Sequence, residues 1–347
     1  MPKMRVAVAL SGGVDSLLAT ALLKESGYDV SGFHMKLWDD PDYPETIASL
    51  NDACRRLDVP LHTLNLEAEF EQAVISYFRR EYSRGRTPNP CSLCNRDIKF
   101  GALLRAALET GADYFATGHY ARVEESEAIY RLLKGTDKTK DQSYFLYTLG
   151  QNELKHLLLP LGSLKKTEVK KLAAERGLTA HARRESRDVC FIPDGDYRTY
   201  LSGYISTEPG EITDTSGRVL GQHNGLAYYT IGQRQKLGLS SPERLYVLRL
   251  DTDNNRLIVG GKDELMGKKL AAASLSWVAG KTPEDLSWIS ARIRYQSQET
   301  PVIISLSNDR AEVTLLTPQN AITPGQAIVF YRGETVLGGG IIEERLA

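Results

Sequence analysis

Two groups of residues in this sequence could do chemistry. The first is Ser11-Gly12-Gly13-Val14-Asp15-Ser16. Two adjacent glycines let a main chain approach oxygen atoms closely. The N–H groups of a Ser-Gly-Gly turn at the start of a helix form a cradle for an anion, and phosphate is the obvious one. The hexamer is not a Walker A loop, because the Gly-Lys-Ser/Thr ending is missing, and it is not Gly-x-Gly-x-x-Gly. Two glycines alone would equally suit a tight turn capped by Ser11. The whole hexamer, placed directly after the first apolar run, favours phosphate binding. A carboxylate such as Asp15 beside phosphate calls for a cation, for which Mg²⁺ is expected.

The second group is the cysteines. Four in 347 residues, Cys54, Cys91, Cys94 and Cys190, do not make a disulfide scaffold. Cys91-Ser92-Leu93-Cys94 follows Thr87-Pro88-Asn89-Pro90, and a helix is predicted to begin near Asn95. Cys94 would then lie at a helix N-terminus near Arg96 and Lys99, which should lower its thiol pKa and favour thiolate. Seven basic residues against two acidic ones give positions 79–105 a local excess of positive charge. Structural zinc would need a second cysteine pair, which the chain lacks. Cys190 lies in the run Ser186 to Pro193, after Arg183-Arg184, and Cys54 reads as a buried apolar cysteine on a helix.

These residues need elements to hold them. Arg5 to Leu10 is a short apolar run of the buried parallel-strand kind, and Leu17 to Leu23 a helix closed by Gly27. Strands are predicted at Val30–Met35, Leu61–Leu66 and Tyr114–Thr117, and helices at Glu45–Leu57, Ala68–Tyr82 and Asn95–Glu109. This alternation implies an α/β fold with a parallel, doubly wound sheet. Ligands of such sheets sit at the carboxyl ends of the strands, where the Ser11 loop, Met35 and Gly118-His119 fall. Positions 142–176 read as helical. After about residue 200 short alternating runs and glycine turns take over, with a hairpin at Tyr246–Val259 and strands at Val302–Leu306, Ala311–Leu316 and Ala327–Tyr331. The expected division is a nucleotide-binding domain at 1–200, a small mixed, β-rich domain at 201–262 and a β-barrel at 263–347.

Composition narrows the rest. With 43 Lys+Arg against 44 Asp+Glu the net charge is −1, so bulk charge argues nothing about nucleic acid. No apolar run approaches the roughly 18 residues that span a bilayer. The apolar stretch near the start is too short for a signal peptide, so a cytoplasmic location is expected.

Ser11 to Ser16 resembles the PP-loop of the ATP pyrophosphatase superfamily, whose members split ATP between its α- and β-phosphates and adenylate a carbonyl oxygen. The chain as a whole resembles the tRNA-specific 2-thiouridylases. The resemblance rests on the loop, Asn89-Pro90-Cys91 and Cys94, together with Phe33-His34-Met35 and Thr117 to Arg122. It continues through Lys140 to Leu146, Asp188 to Phe191, Tyr229 to Arg234 and Arg292 to Tyr295. It implies that Ala9, Leu10, Ser11, Gly12, Gly13, Val14, Asp15, Ser16, Met35 and Gly118 contact ATP, with Mg²⁺. Cys190 would carry sulfur as a persulfide, and Cys94 would be the partner nucleophile that closes a disulfide with it. Asn89, Pro90 and Cys91 would face the target base. His119, Lys140, Asp141, Gln142, Arg294, Tyr295 and Gln326 would touch tRNA. The expected partners are tRNAs for Lys, Glu and Gln and a sulfur-donor protein, the chain itself being a monomer. Many members of the family carry Asp at the position of Cys91. Three cysteines here could instead hold a [4Fe–4S] cluster, giving the same product; the persulfide route is the preferred reading. The competing readings are another PP-loop enzyme, which would not need Cys94 and Cys190, and a non-catalytic RNA-binding module.

Overall fold

Strand β1 (Arg5–Ala9) is apolar on both faces because it lies in the middle of a sheet covered on both sides. In the computed structural model, which describes residues 3–181, 189–192, 195–205 and 207–347, Val6, Ala7 and Val8 are wholly buried. β1 pairs in parallel with β2 (Asp29–Lys36) and β4 (Tyr114–Ala116). β2 pairs with β3 (Leu61–Asn65), and β4 with β7 (Leu157–Leu158), giving the order β3-β2-β1-β4-β7. Alternate side chains point to opposite faces of a strand. Val6 and Val8 accordingly meet α1 (Val14–Glu25), α2 (Tyr43–Leu57) and helix Lys166–Glu175 through Leu17, Leu50 and Val169. Ala7 meets the opposite layer, the helical stretches 67–83 and 90–109, through Phe78 and Leu103. The strand order reverses between β1 and β4, the place where an open α/β sheet leaves a crevice for its ligand.

The structure departs from the expected elements at two places in this half. The helix expected from Asn95 begins at Pro90, with Asn89 before it, since proline suits a first helical turn. It then widens into a π-helical stretch over Cys94–Leu103. Positions 142–176 are not one helical run. They hold Ser143–Leu146, Gln151–Leu154 and Lys166–Glu175, with β7 between the last two.

Four strands form the middle sheet: β8 (Gly210–Thr213), β9 (Val219–His223), β10 (Tyr246–Asp251) and β11 (Arg256–Gly260). Their order is β10-β11-β8-β9 around Ile212, Val247 and Leu257. The last six strands close a barrel. They are β12 (Met266–Trp277), β13 (Ser290–Arg292), β14 (Thr300–Ser307), β15 (Arg310–Asn320), β16 (Ala327–Arg332) and β17 (Thr335–Leu346), with β12 also pairing with β17. Leu270, Val313 and Phe330 fill its interior. A hairpin from the first half, β5 (Ala121–Ser126) and β6 (Ile129–Lys134), extends this sheet through β17, with Leu132 opposite Val336. On the outer side Val329 and Tyr331 join the core around Tyr144 and Leu146, so barrel and nucleotide-binding half share buried surface.

Candidate functional site

The Ser11 loop leaves β1 at the crevice. Gly12 takes a left-handed backbone (φ +81°), which glycine adopts without strain. Gly13 caps α1, so Val14, Asp15 and Ser16 form the first helical turn. The two hydroxyls hold the loop in shape. Ser16 Oγ donates to Gly13 O at 3.0 Å and accepts from Ser11 N–H at 3.3 Å, while Ser11 Oγ accepts from Gly13 N–H at 3.4 Å. Leu10 is buried beside Ala9, and its carbonyl lies 2.6 Å from the buried His34 ring. Met35 lies near the carboxyl end of β2, half-buried against the core. Gly118 approaches the loop from β4. A Cβ there would lie 2.9 Å from the Asp15 carbonyl carbon and 3.0 Å from Ser16 N, so no larger residue fits without displacing the loop.

Asp15 has partners that the sequence reading missed. Lys166 Nζ donates to both carboxylate oxygens at 2.7 Å, and Tyr120 Oη donates to one of them at 2.8 Å. Lys166 is buried at the first position of its helix, and its N–H donates to Asp137 at 2.9 Å, which holds the Asp137 carboxyl below its usual range. One lysine among four in positions 165–171 carries no mark in the sequence. Its role appears only when a helix 151 residues away is folded onto the loop. Asp15 with the hydroxyls of Ser11 and Ser16 is the kind of sparse oxygen set that suits Mg²⁺, which keeps waters and phosphate oxygens as its other ligands.

The thiols differ from expectation. None is in a disulfide; Cys94 is buried, Cys91 and Cys190 exposed. Burial pushes the Cys94 thiol up to about 11 and the Cys190 thiol up to about 12, and raises Cys91 as well. Cys190 is open to solvent as a residue, yet its sulfur sits in a recess where loss of hydration dominates. The expected thiolate at Cys94 is therefore reversed: Cys94 lies inside the first helical turns rather than at a bare N-terminus, and desolvation outweighs the pull of Lys99. Lys99 nevertheless acts on all three thiols, and the two neighbouring cysteines act on Cys190. His119 also lies in the field of Lys99; burial drives its pKa well down, leaving the ring neutral. Its Nδ1 lies 2.7 Å from Thr117 Oγ1, and its ring 5.7 Å from that of Phe100. Phe191 anchors the chain next to Cys190 by packing edge-on against Phe70 and Phe78. The motif residues Arg183, Arg184, Ser186, Arg187, Asp188 and Pro193 lie outside the described residues. Among the described residues no three His, Cys, Asp or Glu side chains stand where they could hold a metal ion. The iron–sulfur reading of Cys91, Cys94 and Cys190 is thus not favoured. Cys54 is buried as expected, its thiol raised to about 11.

Several residues assigned to tRNA make contacts within the protein. Asp141 is buried, accepts from the N–H groups of Gly135 and Ser143, and pairs with Arg292 at 3.1 Å. Gln142 Oε1 accepts from Tyr120 N–H at 3.0 Å. Gln326 Nε2 donates to Thr87 O at 2.9 Å and so ties the loop before Asn89 and Pro90 to the barrel. Tyr295 packs on Phe145 with ring centres 4.5 Å apart, next to Arg294, which makes no ion pair among the described residues. Lys140 is half-buried. The basic excess at 79–105 is partly neutralised by the buried Glu81, which pairs with Arg86 at 2.7 Å. A cleft of about 330 Å³ between the helices and the barrel is lined by Asn89, Ser92, Arg96 and Asp309 but by none of the cysteines.

Comparison with known proteins adds three family matches. Residues 4–194 match the tRNA methyl transferase HUP domain, 198–261 its PRC-barrel domain and 267–342 the aminomethyltransferase beta-barrel domain. The chain is 46% identical to a tRNA-specific 2-thiouridylase MnmA of Carboxydothermus hydrogenoformans, with 99% of each chain covered. It is 46% identical to a tRNA-specific 2-thiouridylase MnmA of Caldanaerobacter subterraneus, covering 99% of this chain and 98% of the relative. Among solved structures, the U34-tRNA thiolase NcsA from Methanococcus maripaludis with its [4Fe-4S] cluster aligns with a TM-score of 0.39 and 19% identity, over 58% of this chain and 65% of that one.

Proposed function

Since the chain belongs to the tRNA-specific 2-thiouridylase family, we propose that it replaces the C2 oxygen of a tRNA wobble uridine by sulfur, using ATP. One observation carries the reading. Gly118 backs onto Asp15 of the phosphate loop, and the next residue, His119, lies in the field of Lys99, which also acts on Cys91, Cys94 and Cys190. Gly118-His119 thereby links the loop to the thiols, which supports a reaction joining adenylation to sulfur transfer. The description of the first family match names methyl transfer; a phosphate loop beside three thiols supports thiolation instead.

Ala9 to Ser16, Met35 and Gly118 bind ATP. Mg²⁺, when bound, neutralises phosphate charge, with Asp15 as its carboxylate ligand. Lys166 keeps Asp15 paired while nucleotide is absent and presents a second positive charge to the phosphates. Adenylation of O2 converts a poor leaving group into AMP. The terminal sulfur of a Cys190 persulfide then attacks C2 and AMP leaves. Cys94 thiolate next attacks Cys190 Sγ, the S–S bond to the transferred sulfur breaks, and thiouridine departs with the electron pair, leaving a Cys94–Cys190 disulfide. Lys99 is the cation that favours each thiolate in turn. Asn89 and Pro90 position the flipped base, and Arg294, Tyr295 and Lys140 contact the tRNA. The tRNAs would be those for Lys, Glu and Gln, with sulfur delivered by a donor protein. No helix among the described residues is long and apolar enough to cross a membrane.

The test supplies ATP, tRNA with an unmodified wobble uridine and a persulfide source. AMP, diphosphate and nucleoside masses are then measured for the wild type, Cys94→Ser and Cys190→Ser. The variants should release AMP and diphosphate and make no 2-thiouridine. Full thiolation by either variant would favour a different chemistry on the same loop.

A further inference from the structure

Cys91 has no place in the transfer just described, yet it shares the recess with the two cysteines that do. It lies three residues before Cys94 in the first helical turn, where Cys94 N–H donates to Cys91 O and Pro90 O. Residues three apart on a helix are neighbours, with Cβ atoms roughly 5–6 Å apart. A disulfide needs Cβ atoms roughly 3.5–4.5 Å apart, so a small backbone adjustment in this first turn closes the gap. The three sulfurs differ in access: Cys94 is buried, whereas Cys91 and Cys190 are exposed. The Cys91 thiol is in no disulfide.

On the reading that turnover leaves a Cys94–Cys190 disulfide, we infer that Cys91 is the resolving thiol that resets the enzyme. Cys91 thiolate attacks Cys94 Sγ, a Cys91–Cys94 bond forms, and the Cys94–Cys190 bond breaks with its electron pair leaving on Cys190 Sγ. The proton lost by Cys91 is matched by the one gained by Cys190, and no net oxidation occurs. Cys190 is free at once to accept the next sulfur. An external dithiol then reduces the Cys91–Cys94 bond with two electrons and two protons. Without Cys91, Cys190 would stay tied up in the Cys94–Cys190 bond until a reductant opened it, and could accept no further sulfur in the meantime.

The experiment loads the full-length protein with inorganic polysulfide, removes the excess, and adds ATP and a tRNA with unmodified wobble uridine but no reductant. Free thiols are then alkylated and the unreduced digest is mapped by mass. The wild type should yield a Cys91–Cys94 disulfide with Cys190 alkylated, and C91S a Cys94–Cys190 disulfide. With an external dithiol supplied, the ratio of multiple-turnover to single-turnover product should fall about tenfold in C91S. If the wild type ends as Cys94–Cys190 and the ratio is unchanged in C91S, the resolving role is overturned while the transfer route stands. Product formed with no disulfide at Cys94 in either protein overturns the route itself, and this step with it.

Discussion

The phosphate loop and the thiol recess lie side by side and are prepared in opposite ways. In the loop every charge and hydroxyl already has a partner: Asp15 is held by Lys166 and Tyr120, and Ser11 and Ser16 bond to the loop backbone. Such a site holds its polar groups oriented before a ligand arrives, which is how a polar site makes its electrostatics effective. In the recess the reactive groups are held in their unreactive form. Burial keeps the thiols protonated and His119 neutral, with Lys99 opposing it for the thiols. The difference assigns binding to geometry and reactivity to ionisation, so substitutions in the two regions should fail differently.

Asp15→Ala gives the largest effect. Removing the carboxylate that balances Lys166 beside the phosphates should cut adenylation by about 10³-fold, measured as AMP release, and leave tRNA affinity within about twofold. Lys166→Met should cost about 10²-fold in the same assay, because Asp15 is then left as an unpaired anion near the phosphates. Adenylation at wild-type rate in Lys166→Met would break the claim that the loop is charge-matched.

The recess should respond to pH instead. A thiol whose pKa is raised is less ionised at neutral pH. With Cys94 near about 11 and Cys190 near about 12, the thiolate fraction grows roughly tenfold per pH unit between 7 and 9. Alkylation of both sulfurs by iodoacetamide should rise with that slope, while AMP release stays nearly flat. Lys99→Met should slow alkylation of Cys94 several-fold, since the cation that favours its thiolate is gone. A plateau in alkylation below pH 8 would mean that the recess opens in solution.

The two regions were also unequally legible. A hexamer of consecutive residues carries the loop, and β1 and α1 around it follow local pattern, so Ser11 to Ser16 could be read directly. Lys166 could not, because its meaning lies in a contact across 151 residues. The spacing of Cys91 and Cys94 was plain, but the ionisation of Cys94 was misjudged: sequence places a helix start and Lys99 nearby and is silent on burial. The barrel was read in part. β14 and β16 alternate or run apolar, whereas β12 and β17 contain Ala271-Ala272-Ala273 and Gly338-Gly339-Gly340, which mimic turns. The glycines are there for close approach, since a Cβ at Gly338 would strike Ser276 O. The hairpin β5–β6 precedes the barrel by more than a hundred residues, and nothing local marks it as part of that sheet.

Shared core between barrel and nucleotide-binding half means that truncation near residue 265 would remove the barrel and uncover the core of the other half together. Single substitutions sharpen the division better. Arg292→Ala leaves Asp141 as a buried, unpaired carboxylate and should cost about 3 kcal/mol in denaturant unfolding. It should not change how tRNA affinity depends on salt. The smallest effect belongs to Arg294, two residues on and without an ion pair among the described residues. Arg294→Ala should leave stability within about 0.5 kcal/mol, as surface substitutions usually do. It should weaken tRNA binding a few-fold and reduce the slope of log affinity against log salt by about 0.7–0.9, the loss of one phosphate contact. The opposite result, a changed salt slope from Arg292→Ala and none from Arg294→Ala, would exchange their roles.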